Sequence, residues 1–492
     1  MKNLNLKNKG GLLVPIIIFS SVALVVIGSI IKWTQITIEA NRQLITREKA
    51  IQLAESGIDY YRWHLAHSQS DYQDGTGLPG PYVHEVRDKD GNVVGEFVLD
   101  ITPPIIGSTK VRIESTGTLA SSTISRKIRV EMAIPSLAKY AVAANDVMRF
   151  GEGTEVFGPV HSNQGIHFDG LAHNIITSSL ALYNDPDHEN NDEFGVHTHV
   201  NIPPDSGINE NFRPLEASPN SVMSRTDVFE VGRQFPVPVI DFVGLTGNLA
   251  NIKSDAQANG HYFAASGSQG YHLVLKTDDT FDVYVVNNLE PTPNGCTLVI
   301  GQQGWGTWSI RSVGGEVFLG NYGFPSNGLI FVEDNVWVNG QINGARLTIA
   351  AGRFPDNPAQ RKSITVNNDL LYTNYDGTDV LALVAQNNIN AGLVSENDLR
   401  IDAAMIAQNG RVGRYYYRPP TGGNDRCSPY HLRNEITLYG MIATYQRYGF
   451  SYNDGTGYQI RNIIYDANLL YSPPPSFPLT SDQYEILSWE EI

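Results

Sequence analysis

The sequence predicts a mainly β protein that begins with one long α-helix. Behind this helix we expect a small antiparallel β meander packed on it, and then a right-handed β-solenoid that carries an inserted lobe. Three observations support this fold class: an uncharged apolar run near the N-terminus that continues as an amphipathic stretch, a region of alternating apolar and polar residues after residue 82, and an internal sequence repeat between residues 380 and 410.

The apolar run covers residues 10–31, and roughly 20 apolar residues in a helix span a hydrocarbon core of about 30 Å. Lys2, Lys7 and Lys9 precede it, so the positive-inside rule places that end in the cytoplasm and the ectodomain outside. Lys32 follows directly, where a cleaved signal peptide would have small residues. We therefore predict a single-pass N-terminal anchor in the inner or cytoplasmic membrane, with an extracytoplasmic ectodomain.

The helix is predicted to continue to about residue 67. Residues 37–67 contain no proline and only one glycine, and apolar residues recur at steps of three and four. The turn-rich segment 68–81 ends this pattern. Because the apolar face needs a partner, we expect Ile51, Ile58 and Leu65 to be buried against the strands that follow.

Residues 82–135 are predicted to form the meander. Four short runs in this region alternate apolar and polar side chains, as in strands with one dry and one wet face. An Asp90-Gly91 pair separates the first two runs and marks a turn. The dry face of such a sheet is expected to pack on the amphipathic half of the helix.

Residues 140–470 are assigned to the solenoid. Ala385 in the motif VAQN recurs 22 residues later as Ala407 in IAQN, and this spacing is typical of one solenoid coil. A small β-sandwich stays open as an alternative, because short strands joined by turns also describe it. A segment at about residues 184–290 interrupts the pattern of short strands and is predicted to form the inserted lobe. The Pro-rich segment 471–492 is predicted to cap the last coil.

Composition excludes some partners. The chain has 35 Lys and Arg against 51 Asp and Glu, a net charge of −16, and has no long basic run, which disfavours nucleic-acid binding.

Cys296 and Cys427 are the only cysteines, which suits an exported protein with one disulfide. Two unpaired buried thiols remain the alternative, because the sequence gives no geometry.

Three N-terminal features carry a family resemblance. The stretch KGGLLV at residues 9–14, the apolar run and the sequence AESGI at residues 54–58 resemble the N-terminal region of minor type IV pilins of the PilX kind and of the pseudopilin that caps type II secretion systems. The resemblance implies that a prepilin peptidase cuts after Gly10. Residues 1–10 would then be a basic leader, and Gly11 would begin a pilin-like helix over 11–67.

The resemblance also implies a function. It indicates a non-catalytic minor pilin or pseudopilin in a type IV pilus or related secretion filament, reaching the cell surface after assembly. Its partners would be the membrane and other pilin-like subunits, contacted through the helix. Major pilins have Glu at the fifth mature position, where this chain has Pro15. Capping pseudopilins and their minor-pilin relatives commonly lack that Glu too, so Pro15 indicates a low-copy or tip subunit. From Gly328 onward the chain resembles solenoid-like ectodomains attached to such N-termini.

A group of histidines and acidic residues lies between residues 161 and 199. Its metal-ligand candidates are Asp185, Asp187, Asp192, His197 and His199. Three interpretations stay open: a solvated acidic loop, a Ca²⁺ site on the carboxylates, and a transition-metal site on the His-x-His pair. The segment lacks the ligand spacing of an EF-hand loop. Apart from Ca²⁺, no cofactor is expected.

The ectodomain is predicted to be non-enzymatic and to serve in surface contact or adhesion, with a surface polysaccharide or a host or abiotic surface as its partner. Tyr415, Tyr416 and Tyr417 form the candidate contact surface, and their packing over the solenoid side is the alternative. A membrane-anchored carbohydrate-active β-helix enzyme is the second hypothesis for the whole chain. Its candidate carboxylates are Glu333, Asp334, Asp369 and Asp402.

Overall fold

The computed structural model describes residues 12–188, 191–242, 244–297 and 302–492. The described chain divides into two compact units. The first contains residues 12–103, 111–133 and 483–492, and the second contains residues 104–110 and 134–482. The predicted cleavage site between Gly10 and Gly11 lies outside the described residues.

The first unit begins with helix α1, Leu13–His67, which ends at the predicted residue. Every side chain from residue 12 to 45 is exposed. Burial begins in the second half of the helix, where apolar residues recur on one face at steps of three and four. The buried residues of α1 are Ala50, Leu53, Ala54, Gly57, Ile58, Tyr61 and Leu65.

Four antiparallel strands follow, and they confirm the predicted meander. They are β1 Tyr82–Arg87, β2 Val93–Thr102, β3 Val111–Leu119 and β4 Ser125–Ala133, paired in chain order.

The second half of α1 packs on the dry face of this sheet. Ile58 and Leu65 are buried there as predicted, while Ile51 is half-buried. The contact is close because glycines line it. A Cβ on Gly57 would lie 2.3 Å from Ser115 Oγ on β3, and a Cβ on Gly117 would lie 2.2 Å from the carbonyl oxygen of Ala50. Helix and sheet backbones therefore approach at positions where only glycine fits.

The second unit consists mainly of short strands. In chain order its first ten strands are β5 Val142–Ala144, β6 Met148–Phe150, β7 Thr154–Phe157, β8 Val160–Ser162, β9 Ile166–Phe168, β10 Leu171–Ala172, β11 Ile176–Ser178, β12 Leu182–Asn184, β13 Asp192–Phe194 and β14 Val196–His197. After these come β15 Arg233–Gln234, helix α2 Gly244–Asn259, β16 His261–Phe263, β17 Gly270–Leu275, β18 Thr280–Val286 and β19 Glu316–Gly323.

The remaining strands of this unit run to residue 465. They are β20 Leu329–Val332, β21 Asn335–Ile342, β22 Arg346–Ala351, β23 Ile364–Thr365, β24 Leu370–Tyr372, β25 Val380–Ala385, β26 Ile389–Ala391, β27 Asp398–Ala407, β28 Val412–Arg414, β29 Leu432–Thr444 and β30 Gly457–Tyr465. Short 3₁₀ helices lie at Leu137–Lys139, Pro214–Glu216, Pro358–Gln360 and Ala467–Leu470.

Most of these strands stack in parallel, coil upon coil, as the solenoid prediction requires. Strands β25 and β27 pair in parallel with Ala385 opposite Ala407 and Val384 opposite Ile406. The two alanines share one apolar core, and Val384 and Ile406 share another on the opposite side. The 22-residue repeat thus identifies two adjacent coils. The right-handed sense of the coiling stays a prediction.

The order of the coils differs from the sequence order. One continuous parallel ladder runs through β16, β20, β22, β25, β27, β29, β5, β8, β11 and β15. The coils between residues 142 and 234 therefore lie beyond β29 and do not precede β16. The sequence could not reveal this order, because every coil edge offers the same backbone donors and acceptors.

The predicted bounds of the inserted lobe and the predicted role of the C-terminal cap both need correction, because each depends on strand pairing between distant parts of the chain. Strands β15, β16 and β17 lie within the lobe predicted at 184–290, yet each pairs in parallel with a strand of the stack. The final strand, β31 Glu485–Glu491, does not cover a coil. It pairs antiparallel with β4 and becomes the fifth strand of the meander sheet. Phe477, in the preceding Pro-rich segment, is buried in the second unit.

Candidate functional site

The first candidate site is the exposed half of α1. Among the described residues, α1 is the one helix that is long and apolar enough to cross a membrane, and its most apolar stretch is wholly exposed. The large apolar side chains of Trp33, Ile36, Ile38, Leu44 and Ile45 on the same helix are exposed as well. An apolar surface of this length on a single helix needs lipid or other helices around it.

The second candidate site is a buried cluster of histidines and carboxylates. Strand β9 contributes His167, and Asp169 follows it directly. The hairpin of β12 and β13 contributes Glu193, and Asp185 and His188 lie in its connecting loop. Strand β14 ends with His197, and His199 lies two residues further on. Parallel pairing of β14 with β9 brings these segments together, with His197 opposite His167.

Five of these side chains converge. One ligand atom from each of Asp185, His188, Glu193, His197 and His199 lies within 4.8 Å of all the others. Glu193 Oε2 is 2.9 Å from His188 Nε2 and 3.1 Å from His197 Nε2, and its Oε1 is 3.4 Å from His199 Nε2. Asp185 Oδ2 is 3.3 Å from His197 Nε2 and 3.6 Å from His188 Nε2. The two Nε2 atoms of His188 and His199 are 3.0 Å apart.

His167 and Asp169 form a layer around these five. His167 Nε2 hydrogen-bonds Asp169 Oδ2 at 2.6 Å, and its Nδ1 lies 2.8 Å from Asp185 Oδ2. Asp169 Oδ1 also accepts a hydrogen bond from the backbone N–H of His199 at 2.7 Å. Asp169 thus holds both the ring that contacts Asp185 and the backbone that presents His199.

Electrostatics give these groups different charges. Burial lowers the pKa of His197, so its ring is neutral at pH 7. Burial opposes a charge on His167 too, but Asp169 and Asp185 outweigh it and raise the pKa of His167 to about 9. Burial alone would raise the pKa of Asp185 and of Glu193, yet the histidines around them hold both pKa values below the ordinary range. Both carboxylates are therefore ionised inside the protein.

The structure brings together three of the five predicted metal-ligand candidates, namely Asp185, His197 and His199. Asp187 instead forms ion pairs with Arg149 and Arg447. Asp192 is exposed on β13. The interpretation as a solvated loop is wrong for the clustered residues, because at most 12% of any of their side chains is exposed.

The sequence placed His188 and Glu193 in the group of histidines and acidic residues but not among the five ligand candidates, and Asp169 was not considered. One usable signal was present. His197 and His199 are two residues apart, and His167 and Asp169 have the same spacing, which in extended chain places both members of a pair on one face. Which two such pairs would meet depended on the parallel pairing of β9 with β14.

The tyrosines predicted as a contact surface are largely inside the protein. Tyr415 and Tyr417 are each 1% exposed and pack around the disulfide that joins Cys296 to Cys427. Tyr417 donates a hydrogen bond to the carbonyl of Gly306 at 2.8 Å. An exposed role is therefore wrong for these two tyrosines. Apolar packing against the disulfide explains their burial better than ligand binding does.

Next to these tyrosines lies Arg414, which is fully buried. Its guanidinium donates to the carbonyl oxygens of Gly392, Leu393 and Tyr430 and to Ser395 Oγ. The group also lies over the ring of Tyr417, 4.8 Å from its centroid. Backbone carbonyls, not carboxylates, thus solvate this cation, and the fork geometry of arginine lets it reach several of them at once.

We predict that Arg414→Lys destabilises the second unit by about 2–3 kcal/mol. Lysine keeps the charge, but its single ammonium leaves at least one buried carbonyl unpaired, and a charged hydrogen bond is worth about 1.5–3 kcal/mol. Urea unfolding of the detergent-solubilised chain measures the effect. Arg311→Lys, at an exposed arginine, is the control and should change stability by less than about 0.5 kcal/mol. Equal stabilities of the two variants would contradict the role given to Arg414.

The carboxylates considered for an enzyme all have structural partners. Glu333 pairs with Lys253, and Asp334 lies 2.9 Å from Lys362 Nζ. Asp369 accepts the backbone N–H of Arg400. Asp402, wholly buried, accepts the backbone N–H of Tyr372 and the hydroxyl of Tyr375. Each of these carboxylates therefore bonds to a neighbouring segment of its own chain.

No family model matches this chain, and no curated protein matches it. Among solved structures, it is similar to the competence-associated pilin ComZ from Thermus thermophilus. That match covers 91% of this chain and 97% of the other, with 13% sequence identity and a TM-score of 0.31. A TM-score this low does not assign a fold or a function.

Proposed function

We propose that this chain is a membrane-anchored, pilin-like subunit of a type IV pilus or a related secretion filament, and that its large β ectodomain makes surface contacts. The observation that carries the proposal is the division of α1 into two halves. The half before residue 46 exposes apolar side chains, and the half from Ala50 to Leu65 packs on the antiparallel sheet of its own unit.

This division suits a subunit that moves from membrane to filament. An apolar half-helix can be covered by lipid before assembly and by the same halves of neighbouring subunits after it. The docked half keeps the sheet attached in both states, since Ile58 and Leu65 each contribute roughly 1.5–3 kcal/mol when fully buried. Pro15 lies in the first turns of α1, where a proline removes few helical hydrogen bonds.

Cleavage of the leader is the most direct test. We expect Gly10→Val to abolish cleavage between Gly10 and Gly11, because a branched side chain replaces the glycine at the proposed peptidase site. Intact-mass measurement of the protein from cell envelopes reads the mature N-terminus. The same cells are sheared, and the chain is then sought in the filament fraction, where the wild type should be present and the variant absent.

The control is a glycine-to-valine change elsewhere in the apolar run. Gly28→Val adds a side chain where nothing outside the adjacent helix backbone lies within 4 Å, so cleavage should proceed as in the wild type. If wild-type protein from cells with an active prepilin peptidase keeps residues 1–10, the proposal loses its main support.

A further inference from the structure

We infer that the buried histidine–carboxylate cluster is a binding site for a divalent transition-metal ion of the Zn²⁺ type, with Asp185, His188, Glu193, His197 and His199 as ligands. This inference rests on residues of the second unit alone and is independent of the proposed filament function.

Unsatisfied ligand atoms are the first argument. Asp185 Oδ2, Glu193 Oε2 and His197 Nε2 are buried without a well-formed hydrogen bond to any described residue. The side chains of Glu193, His197 and His199 are 0% exposed, and that of Asp185 is 2% exposed. These atoms touch charged or polar neighbours, but the contacts are poorly aligned for hydrogen bonds, and a buried polar atom without a hydrogen bond is destabilising. The three residues belong to the set whose ligand atoms converge within 4.8 Å, so one ion would bind all of them together.

Distances give the second argument. Zn²⁺ binds imidazole nitrogen and carboxylate oxygen at about 2.0–2.2 Å, so neighbouring donor atoms around it lie roughly 3–3.5 Å apart. The donor separations given above run from 2.9 Å between His188 and Glu193 to 3.6 Å between His188 and Asp185, and all five donors lie within 4.8 Å of one another. The close approach of two imidazole nitrogens, His188 Nε2 and His199 Nε2 at 3.0 Å, is also the spacing of two ligands on one ion.

The type of donor gives the third argument. Asp185 and Glu193 each offer a carboxylate oxygen, and His188, His197 and His199 each offer an imidazole nitrogen. Three imidazoles among five donors favour Zn²⁺ and its neighbours over Ca²⁺, which prefers an all-oxygen set.

The surroundings indicate a structural ion. Asp169 hydrogen-bonds His167 and the backbone of His199, the type of outer contact that orients metal ligands. Five protein donors exceed the four that complete a tetrahedral structural Zn²⁺ site, whereas catalytic sites have three protein ligands and an open position. Such an ion would join the β12–β13 hairpin and its loop to β14, because it takes ligands from all of these segments.

The test uses the full chain, purified in detergent without a histidine tag and treated with EDTA. After Zn²⁺ is added and excess removed, elemental analysis should find about one Zn²⁺ per chain. Co²⁺ in its place should give the visible absorption of a four- or five-coordinate site. Glu193→Gln and His197→Gln should each weaken Zn²⁺ binding at least tenfold, since even outer-shell changes cost about 10–100-fold.

The control variant is His173→Gln. His173 also contacts two carboxylates, those of Glu155 and Glu230, but lies outside the cluster. It should bind Zn²⁺ like the wild type. Failure of the folded wild-type chain to retain Zn²⁺ or Co²⁺, or equal Zn²⁺ affinities of Glu193→Gln and His173→Gln, would overturn the inference.

A second measurement uses the wild-type chain alone, so it tests the inference even where a variant does not fold. Limited proteolysis of the wild-type chain should cut within residues 182–213 after EDTA treatment and much more slowly after Zn²⁺ is restored. Cleavage of this segment at the same rate in both states would also overturn the inference.

Discussion

Replacing Ala385 with aspartate is expected to destabilise the parallel stack by about 4 kcal/mol at pH 7. Ala385 is wholly buried in the main apolar core, between Ala351 and Ala407 of the adjacent coils. A carboxyl group there must take up a proton to be buried. Protonating a group of ordinary pKa near 3.9 at pH 7 costs roughly 1.4 kcal/mol for each of about three pH units.

The pH dependence of this variant identifies the cause. Burial raises the pKa of the new carboxyl, so the folded state keeps a proton that the unfolded state releases above about pH 4. Stability relative to wild type should therefore fall as the pH rises above about 4 and level off above the raised pKa. Ala385→Asn has the same size but no charge, and its destabilisation should not change with pH. Urea unfolding over a pH series measures both, and a flat profile for Ala385→Asp would contradict burial at this coil.

Replacing Gly117 with valine is expected to detach α1 from its sheet. A Cβ at this position would lie 2.2 Å from the Ala50 carbonyl oxygen and 2.4 Å from the Ala54 nitrogen. Both are helix backbone atoms, so no side-chain rotation relieves the overlap and the helix must move. Losing the burial of Ile58 and Leu65 would cost about 4 kcal/mol in total.

Hydrogen–deuterium exchange provides a local measurement of this change. Amides of residues 50–65 should exchange much faster in Gly117→Val than in the wild type. Thr116→Val is the matched control, because Thr116 is only half-buried and neighbouring strand residues point to opposite faces. If residues 50–65 exchange at the same rate in both variants, close contact at Gly117 does not hold the helix.

Local patterns alone determined a large part of this protein. The 3.6-residue period from residue 37 to 67 predicted the docked half of α1, including the burial of Ile58 and Leu65. Alternation within residues 82–135 predicted four strands, and four strands lie there. The Ala385–Ala407 repeat predicted a pair of stacked coils and its register. These features share a physical reason: each depends on side-chain periods within one or two adjacent elements.

Tertiary structure decided what depends on distant contacts. The pairing of β29 with β5 placed the coils of residues 142–234 after β29 and so out of sequence order, and the pairing of β31 with β4 placed the last strand in the meander sheet. Parallel pairing of β14 with β9 assembled the histidine–carboxylate cluster from segments that read as a polar loop. The unpaired edges of strands all present the same backbone N–H and C=O groups. The side-chain pattern of one strand therefore does not indicate which other strand it will pair with. Packing of the whole chain made that choice and thereby created the candidate metal site.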